Sequence, residues 1–263
     1  MSAHAAGYAA LLRRQAPPVV ALPPADPVID GANAGLRRTI GETWERRAHE
    51  ELKASMAFAV LSRELLEVGA PPEAIARVAR GVSDEVRHAE ILRALASRYL
   101  GADVAWPPAV HADPAPLGAN PRVTVSLHTV TMCCVSETVA SVFIEASHAA
   151  ATSPSVRATL GLILADEVEH GRAGWVFLAS VRDERDVMAA VQREAAAIVR
   201  RVADRWFDFS EITLPDGAPE HGLLSNDDSR RSVITALRDV VLPGFEQLGL
   251  DVRAAAAVVE ELA

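Results

Sequence analysis

The chain has 263 residues, half of them hydrophobic, with aromatics at only 5% and a formal net charge of −9 at pH 7. That length holds one large domain or two small ones, and the composition suits helices better than sheet. The acidic balance argues against general nucleic-acid binding, and no apolar run reaches the roughly 18 residues expected of a membrane span.

Residues 1–35 are rich in Ala and Pro and read as a tail or packing arm, not a domain. Met1 to Leu12 lacks a basic leading segment, and Arg13 and Arg14 follow the apolar stretch, so no secretory signal is expected. From Leu36 to about Val68 the apolar pattern is helical and ends at Gly69. Pro71-Pro72 opens a second helix that runs to about Leu100 and stops at Gly101. Residues 101–121 hold five prolines and two glycines and predict a long connection. A third helix is expected from about Val123 to Ala150. Ser153 and Pro154 form an N-cap and N1 pair that opens a fourth, about 154–181.

Short hairpin loops make the neighbours within each pair antiparallel. A connection of about 20 residues can span up to roughly 65 Å, more than the ~40 Å length of a helix of about 27 residues. The expected fold is therefore all-α: a four-helix bundle over 36–181, built from two antiparallel hairpins with a long crossover. A C-terminal helical extension follows over 182–263. Within it, a helix is expected at about 183–207 and a loop at 212–226. Asn226 to Asp228 would cap a helix running toward Val241, and Asp251 would cap a last short one to Glu261.

The second helix of each predicted hairpin carries a near-copy of one motif, Asp84-Glu85-Val86-Arg87-His88 and Asp166-Glu167-Val168-Glu169-His170. Three residues advance a helix by about 300° and about 4.5 Å, so each Glu and His share a face. Val78, Val82, Leu92 and Leu95 lie on the first motif's face, and Leu160, Ile163, Gly171, Gly174 and Phe177 on the second's. Both pairs therefore point inward, where a carboxylate must be paired, protonated or bound to metal. The partner helices each offer a carboxylate on the matching face. Glu51 shares its face with Trp44, Ala48, Ser55 and Phe58, whereas Glu50 is rotated about 100° away. Glu137 shares its face with Val130, Cys134, Ser141 and Ile144. Glu85 follows Glu51 by 34 residues and Glu167 follows Glu137 by 30, spacings that bring all four to similar depth.

Glu51, Glu85-x-x-His88, Glu137 and Glu167-x-x-His170 together resemble the ligand set of the ferritin-like di-iron carboxylate superfamily. The likeness covers about residues 36–181. It implies two iron ions, with manganese or a mixed Fe/Mn pair as alternatives, held by four carboxylates and two histidines. Glu85 and Glu167 would bridge or chelate, and His88 and His170 would each bind one metal. Asp84 and Asp166 would stand behind them, each hydrogen-bonded to the histidine of the opposite motif, as ligating histidines require. Glu169 departs from the pattern, standing where an Arg is expected, and argues against an Arg-based outer network. The segment Glu51 to Phe58, the turn at 69–71 and Val135-Ser-Glu-Thr138 also resemble a bacterial ferritin-like group with no assigned reaction.

A third pair, Glu145-x-x-His148, lacks the preceding Asp and lies about 12 Å along the helix from Glu137, so a surface pair is expected there. The bland account of the whole set is a buried ion-pair network without metal. Cys133 and Cys134 are adjacent in a helix and point apart, so no ordinary disulfide joins them and a reducing cytoplasm is expected. They read as small core residues; alternatively Cys134, with Ser141 and Gly171, lines a substrate pocket. Gly81, Gly171 and Gly174 are costly inside helices, which points to close helix approach or to room for a ligand.

The resemblance implies an oxygenase or oxidase using dioxygen, an external electron donor and a small organic substrate. A ferroxidase or peroxide-detoxifying protein is the alternative, and a non-catalytic helical interaction protein stapled by metal is another. A four-cysteine iron domain is impossible here. The tyrosines are Tyr8 and Tyr99, and Tyr99 lies about 16 Å along its helix from His88, too far for a metal-coupled radical. The C-terminal helices are open to three roles: a lid, a pocket wall or a homodimer surface.

Overall fold

A computed structural model of the chain describes residues 22–112, 116–210 and 213–263. The expected N-terminal arm lies outside the described residues up to position 21, as does part of the long connection, at 113–115. The described residues are helical and carry no strand.

A short helix α1 (Pro27–Gly31) precedes the long helices α2 (Ala34–Glu67) and α3 (Pro72–Leu100). The third long helix is continuous but changes its winding. It runs as α4 (Pro121–Thr129), widens into a π-helical segment (Val130–Glu137), and resumes as α5 (Thr138–Ala150). After it come α6 (Pro154–Ser180), α7 (Arg185–Ser210) and a 3-10 turn (Ala218–His221). The chain ends with α8 (Asn226–Ala236), a second π segment (Leu237–Val241), α9 (Leu242–Gln247) and α10 (Arg253–Leu262).

The sequence signals act where they were read. Gly69 and Gly101 take positive φ at the ends of α2 and α3, the conformation in which glycine has no Cβ penalty. The Ser153 hydroxyl accepts from the Val156 N–H, with Pro154 at the first helical position of α6. The described end of the expected arm contains a short helix. Residues 27–31 form a helix because the Asp26 carboxylate accepts from the backbone N–H of Val28 and Ile29, and Ile29 is fully buried.

Helix α2 packs along α3, α3 against α6, and α6 against the π segment and α5, while α2 touches α4. Helix α7 lies over α4 and the π segment, and α8 lies over α5. The helix Pro121–Ala150 is apolar and long enough to cross a membrane by length and composition, unlike the reading from apolar runs. Somewhat more than half of its apolar window is buried against the other helices.

Two apolar clusters fill the interior. One gathers Trp44, Ala48, Leu92, Leu95, Leu160 and Ile163. The other gathers Phe58, Val78, Cys133, Val139, Phe177 and the buried faces of the C-terminal helices. Along α2, α3 and α6 the sequence passes from one cluster to the other across Glu51, the Glu85–His88 motif and the Glu167–His170 motif. The acidic residues thus form a polar layer between two hydrophobic ones.

Candidate metal centre

The six residues singled out by spacing converge. Glu51, Glu85, His88 and Glu167 each offer one ligand atom, and these atoms lie within 4.8 Å of one another. Glu85, Glu137, Glu167 and His170 do the same. Glu85 and Glu167 belong to both groups, so the two clusters overlap through a shared pair of carboxylates. Glu85, His88, Glu137, Glu167 and His170 are buried, and Glu51 is half-buried. Glu50 belongs to neither cluster; it pairs with Lys53 at 2.7 Å, and both line the cavity beside the site.

The ring nitrogens are sorted by side. His88 Nδ1 faces inward, 3.4 Å from both Glu85 Oε2 and Glu167 Oε1. His170 Nδ1 lies 3.2 Å from Glu85 Oε1 and 3.5 Å from Glu167 Oε2. The outer nitrogens face aspartates of the opposite motif: His88 Nε2 is 3.1 Å from Asp166 Oδ2, and His170 Nε2 is 3.5 Å from Asp84 Oδ2. Phe58 packs against His170 with ring centroids 4.8 Å apart. A Cβ on Gly81 would come within 2.7 Å of that ring, so the missing side chain at 81 makes room for Phe58.

The site carries its own test for a metal. Glu85 Oε2, Glu167 Oε2, His88 Nδ1 and His170 Nδ1 are buried and lack a hydrogen-bond partner, as does the outward-facing His170 Nε2. Buried polar atoms are nearly always satisfied, and exceptions call for a further partner such as an ion. The first four are oxygen and imidazole donors directed at one place, the donor set that suits iron, manganese or zinc.

The protonation pattern without an ion shows the same strain. Burial, then the charge of Glu85, pushes Glu51 well above the usual carboxylate range. Burial and the charge of Glu167 do the same to Glu137. Burial would also raise Glu167, but the facing imidazoles of His170 and His88 outweigh it and pull that group down. For His88 and His170 burial opposes protonation, yet the facing carboxylates overcome it and hold both well above the ordinary imidazole value. Burial and mutual repulsion thus favour protons on Glu51 and Glu137, and divalent cations relieve the same crowding of charge.

An arginine network surrounds the aspartates, contrary to the expectation drawn from Glu169. Arg80 bridges Asp84 at 3.1 Å and Asp166 at 3.4 Å. Arg87 pairs with Asp166 and lies 3.3 Å from Asp84. Both arginines come from α3, so the network needs none from the second motif. Glu169 is neutralised separately by Arg77 at 2.7 Å and Arg172 at 2.9 Å. Burial would raise Asp84 and Asp166, but the facing histidines and the arginines hold both low.

A cavity of about 450 Å³ opens onto Glu51, Glu85, Glu137 and Glu167, with Leu92, Phe143, Ile144, Leu160 and Ile163 among its walls. Cys134, Ser141 and Gly171 do not line it. Cys134 lies in the π segment. An α-helical period places it beside Glu137, but i→i+5 hydrogen bonding widens the turn, and Met132 reaches the cavity instead. Cys134 is fully buried in the apolar core, and Ser141 donates to the Glu137 carbonyl at 2.9 Å. Glu145 is exposed and belongs to neither cluster.

Spacing overlooked Arg47, Trp206 and Phe209, which also line the cavity. Arg47 could have been found, because it lies four residues before Glu51 on the same face of α2. Trp206 and Phe209 come from α7, whose placement no local pattern encodes. No family model matches the chain, and none of the curated proteins matches it.

Proposed function

We propose that this chain is a ferritin-like non-haem di-iron protein that oxidises a small organic substrate with dioxygen. The observation that carries this reading is the overlap of two four-residue clusters through Glu85 and Glu167. Each ion would take one outer carboxylate, Glu51 or Glu137, one Nδ1, from His88 or His170, and a share of the central pair. Manganese in one or both positions fits the same donors. Two ferrous ions with open positions would supply dioxygen activation.

The residues of the chain do the rest. Asp166 and Asp84 would hold the histidine rings with Nδ1 inward and Nε2–H outward. Arg80 and Arg87 balance the aspartates, so the histidines keep their orienting partners at neutral pH. The apolar walls beside Glu51 and Glu85 favour an organic substrate over a hydrated iron ion as cargo. Cys133 and Cys134 are buried and kept protonated, chiefly by burial, so electrons would come from an external donor.

The test is metal content together with dioxygen uptake. Purified or iron-reconstituted protein is expected to hold close to two Fe or Mn per chain. The reduced iron form is expected to consume dioxygen. Failure to retain metal after anaerobic iron reconstitution would overturn the reading.

A further inference from the structure

Arg47 is a buried cation with no ion-pair partner among the described residues, and the acidic group that acts on its charge is Glu51, one turn along α2. Arg47 is 9% exposed, it lines the cavity, and no described residue gives it a hydrogen bond or an ion pair. Its guanidinium lies over three aromatic rings, with centroids at 4.9 Å for Trp44, 5.3 Å for Phe143 and 5.9 Å for Phe209. Ring faces stabilise the charge. They leave the five in-plane N–H donors unused, and Nε is buried with no partner. Such a fork matches a carboxylate through two parallel hydrogen bonds.

The surroundings narrow the ligand. Leu92, Ile144, Leu160 and Ile163 give the cavity an apolar side, and its volume lies within the range of about 300–1,000 Å³ usual for small-molecule sites. Arg201 and Arg205, exposed on α7, line the cavity as well and have no ion-pair partner among the described residues. They extend the positive potential outward and would steer an anion inward. A single buried guanidinium between rings balances one negative charge better than two, because an unmatched charge is costly away from water. That favours a carboxylate over a phosphate. Arg47 sits one turn before Glu51, about 6 Å along α2. A ligand held there would present atoms a few bonds from its carboxylate to the acidic floor.

We infer that the cavity binds an amphipathic organic monocarboxylate, with its carboxylate paired to Arg47 and its apolar part along Leu92, Leu160 and Ile163. As a binding site this stands on Arg47 and the cavity; as the substrate site it rests on the proposed oxygen-dependent function.

The experiment is calorimetric titration of the full chain, metal-free and Mn(II)-loaded, with octanoate and benzoate against octanamide and benzamide. The acids are expected to bind at least tenfold more tightly than the amides in both forms. Arg47→Gln should abolish that preference, and the Arg201→Gln/Arg205→Gln double variant should weaken acid binding several-fold. Equal binding of acids and amides by the unaltered chain overturns the inference, and that comparison needs no variant to fold. Undiminished acid binding by Arg47→Gln also overturns it, because the carboxylate would then be held elsewhere. Acid preference in a chain that takes up no metal would support the site while sinking the di-iron reading. Two metals per chain with no acid preference would do the reverse.

Discussion

The Nε2 of His88 lies 3.1 Å from the Oδ2 of Asp166, 78 positions away in the second copy of the same motif. The reciprocal pair, His170 and Asp84, stands at 3.5 Å. Each motif therefore supplies a Glu and a His to the centre and an Asp to the other motif's ring. Asp166→Asn should weaken metal binding by about 10–100-fold, the usual effect of losing the group that orients a ligating histidine. Competition against a chromophoric chelator measures it, and unchanged affinity would reduce Asp166 to an ion-pair partner of Arg87.

The overlap of the two clusters predicts a graded loss of metal. Glu85→Ala and Glu167→Ala each remove a carboxylate common to both clusters and should abolish dinuclear binding. Glu51→Ala and Glu137→Ala each touch one cluster and should leave about one ion per chain, since one complete donor group survives. Glu145→Ala should leave the content at two. Elemental analysis by mass spectrometry reads all five, and identical stoichiometry in the first four would contradict the shared-ligand arrangement.

Gly174 marks the closest approach of α6 to the π segment. A Cβ there would lie 2.6 Å from both Cys133 Cβ and Cys134 N. Two of its three nearest neighbours are backbone atoms, so relief requires moving a helix and not a rotamer. Gly174→Ala should cost about 1–3 kcal/mol, typical of overpacking, despite the higher helix propensity of Ala. Urea denaturation checks this, and a gain in stability would show that the contact has slack.

Asp26 ties two helix starts together. Its carboxylate accepts from Val28 and Ile29 N–H at the start of α1 and from Ser153 Oγ and Ser155 N–H at the start of α6. Burial would raise its pKa, but those hydrogen bonds, led by the one from Ser153, leave it lowered. A lowered folded value means the stabilisation is present above the unfolded carboxylate pKa of about 3.9 and is lost as pH falls through the folded value. Asp26→Ala should therefore destabilise by about 1–3 kcal/mol at pH 7. The gap from the unaltered chain should narrow below about pH 4. Chemical denaturation at both pH values decides it, and a gap that widens on acidification would reverse the sign.

Much of the centre could be read without coordinates. A Glu and a His three apart on a helix must share a face, and an inward-facing carboxylate must find a partner, so Glu85, His88, Glu167 and His170 follow from period and burial alone. Glu51 over Glu50 followed from the same 100° step, and Glu50 pairs with Lys53 and stays out of both clusters. Helix ends at Gly69, Gly101 and Ser153 were legible because caps act within a few residues. Where interactions stayed local, periodic and repeated, the sequence was enough.

The remainder was decided by packing between distant segments. The π segment over Val130–Glu137 cannot be read from an α-helical period, and within it Met132, not Cys134, lines the cavity. The arginine network was missed because Arg80 and Arg87 reach across to Asp166, on another helix. The setting of Arg47 depends on Phe143 and Phe209, which reach its guanidinium from α5 and α7. What the sequence determined by itself is the donor set and the helices that carry it, because both depend on spacing along one helix. What only the tertiary structure decided is the cavity beside it and the charge left unpaired there, because those depend on which faces of different helices meet.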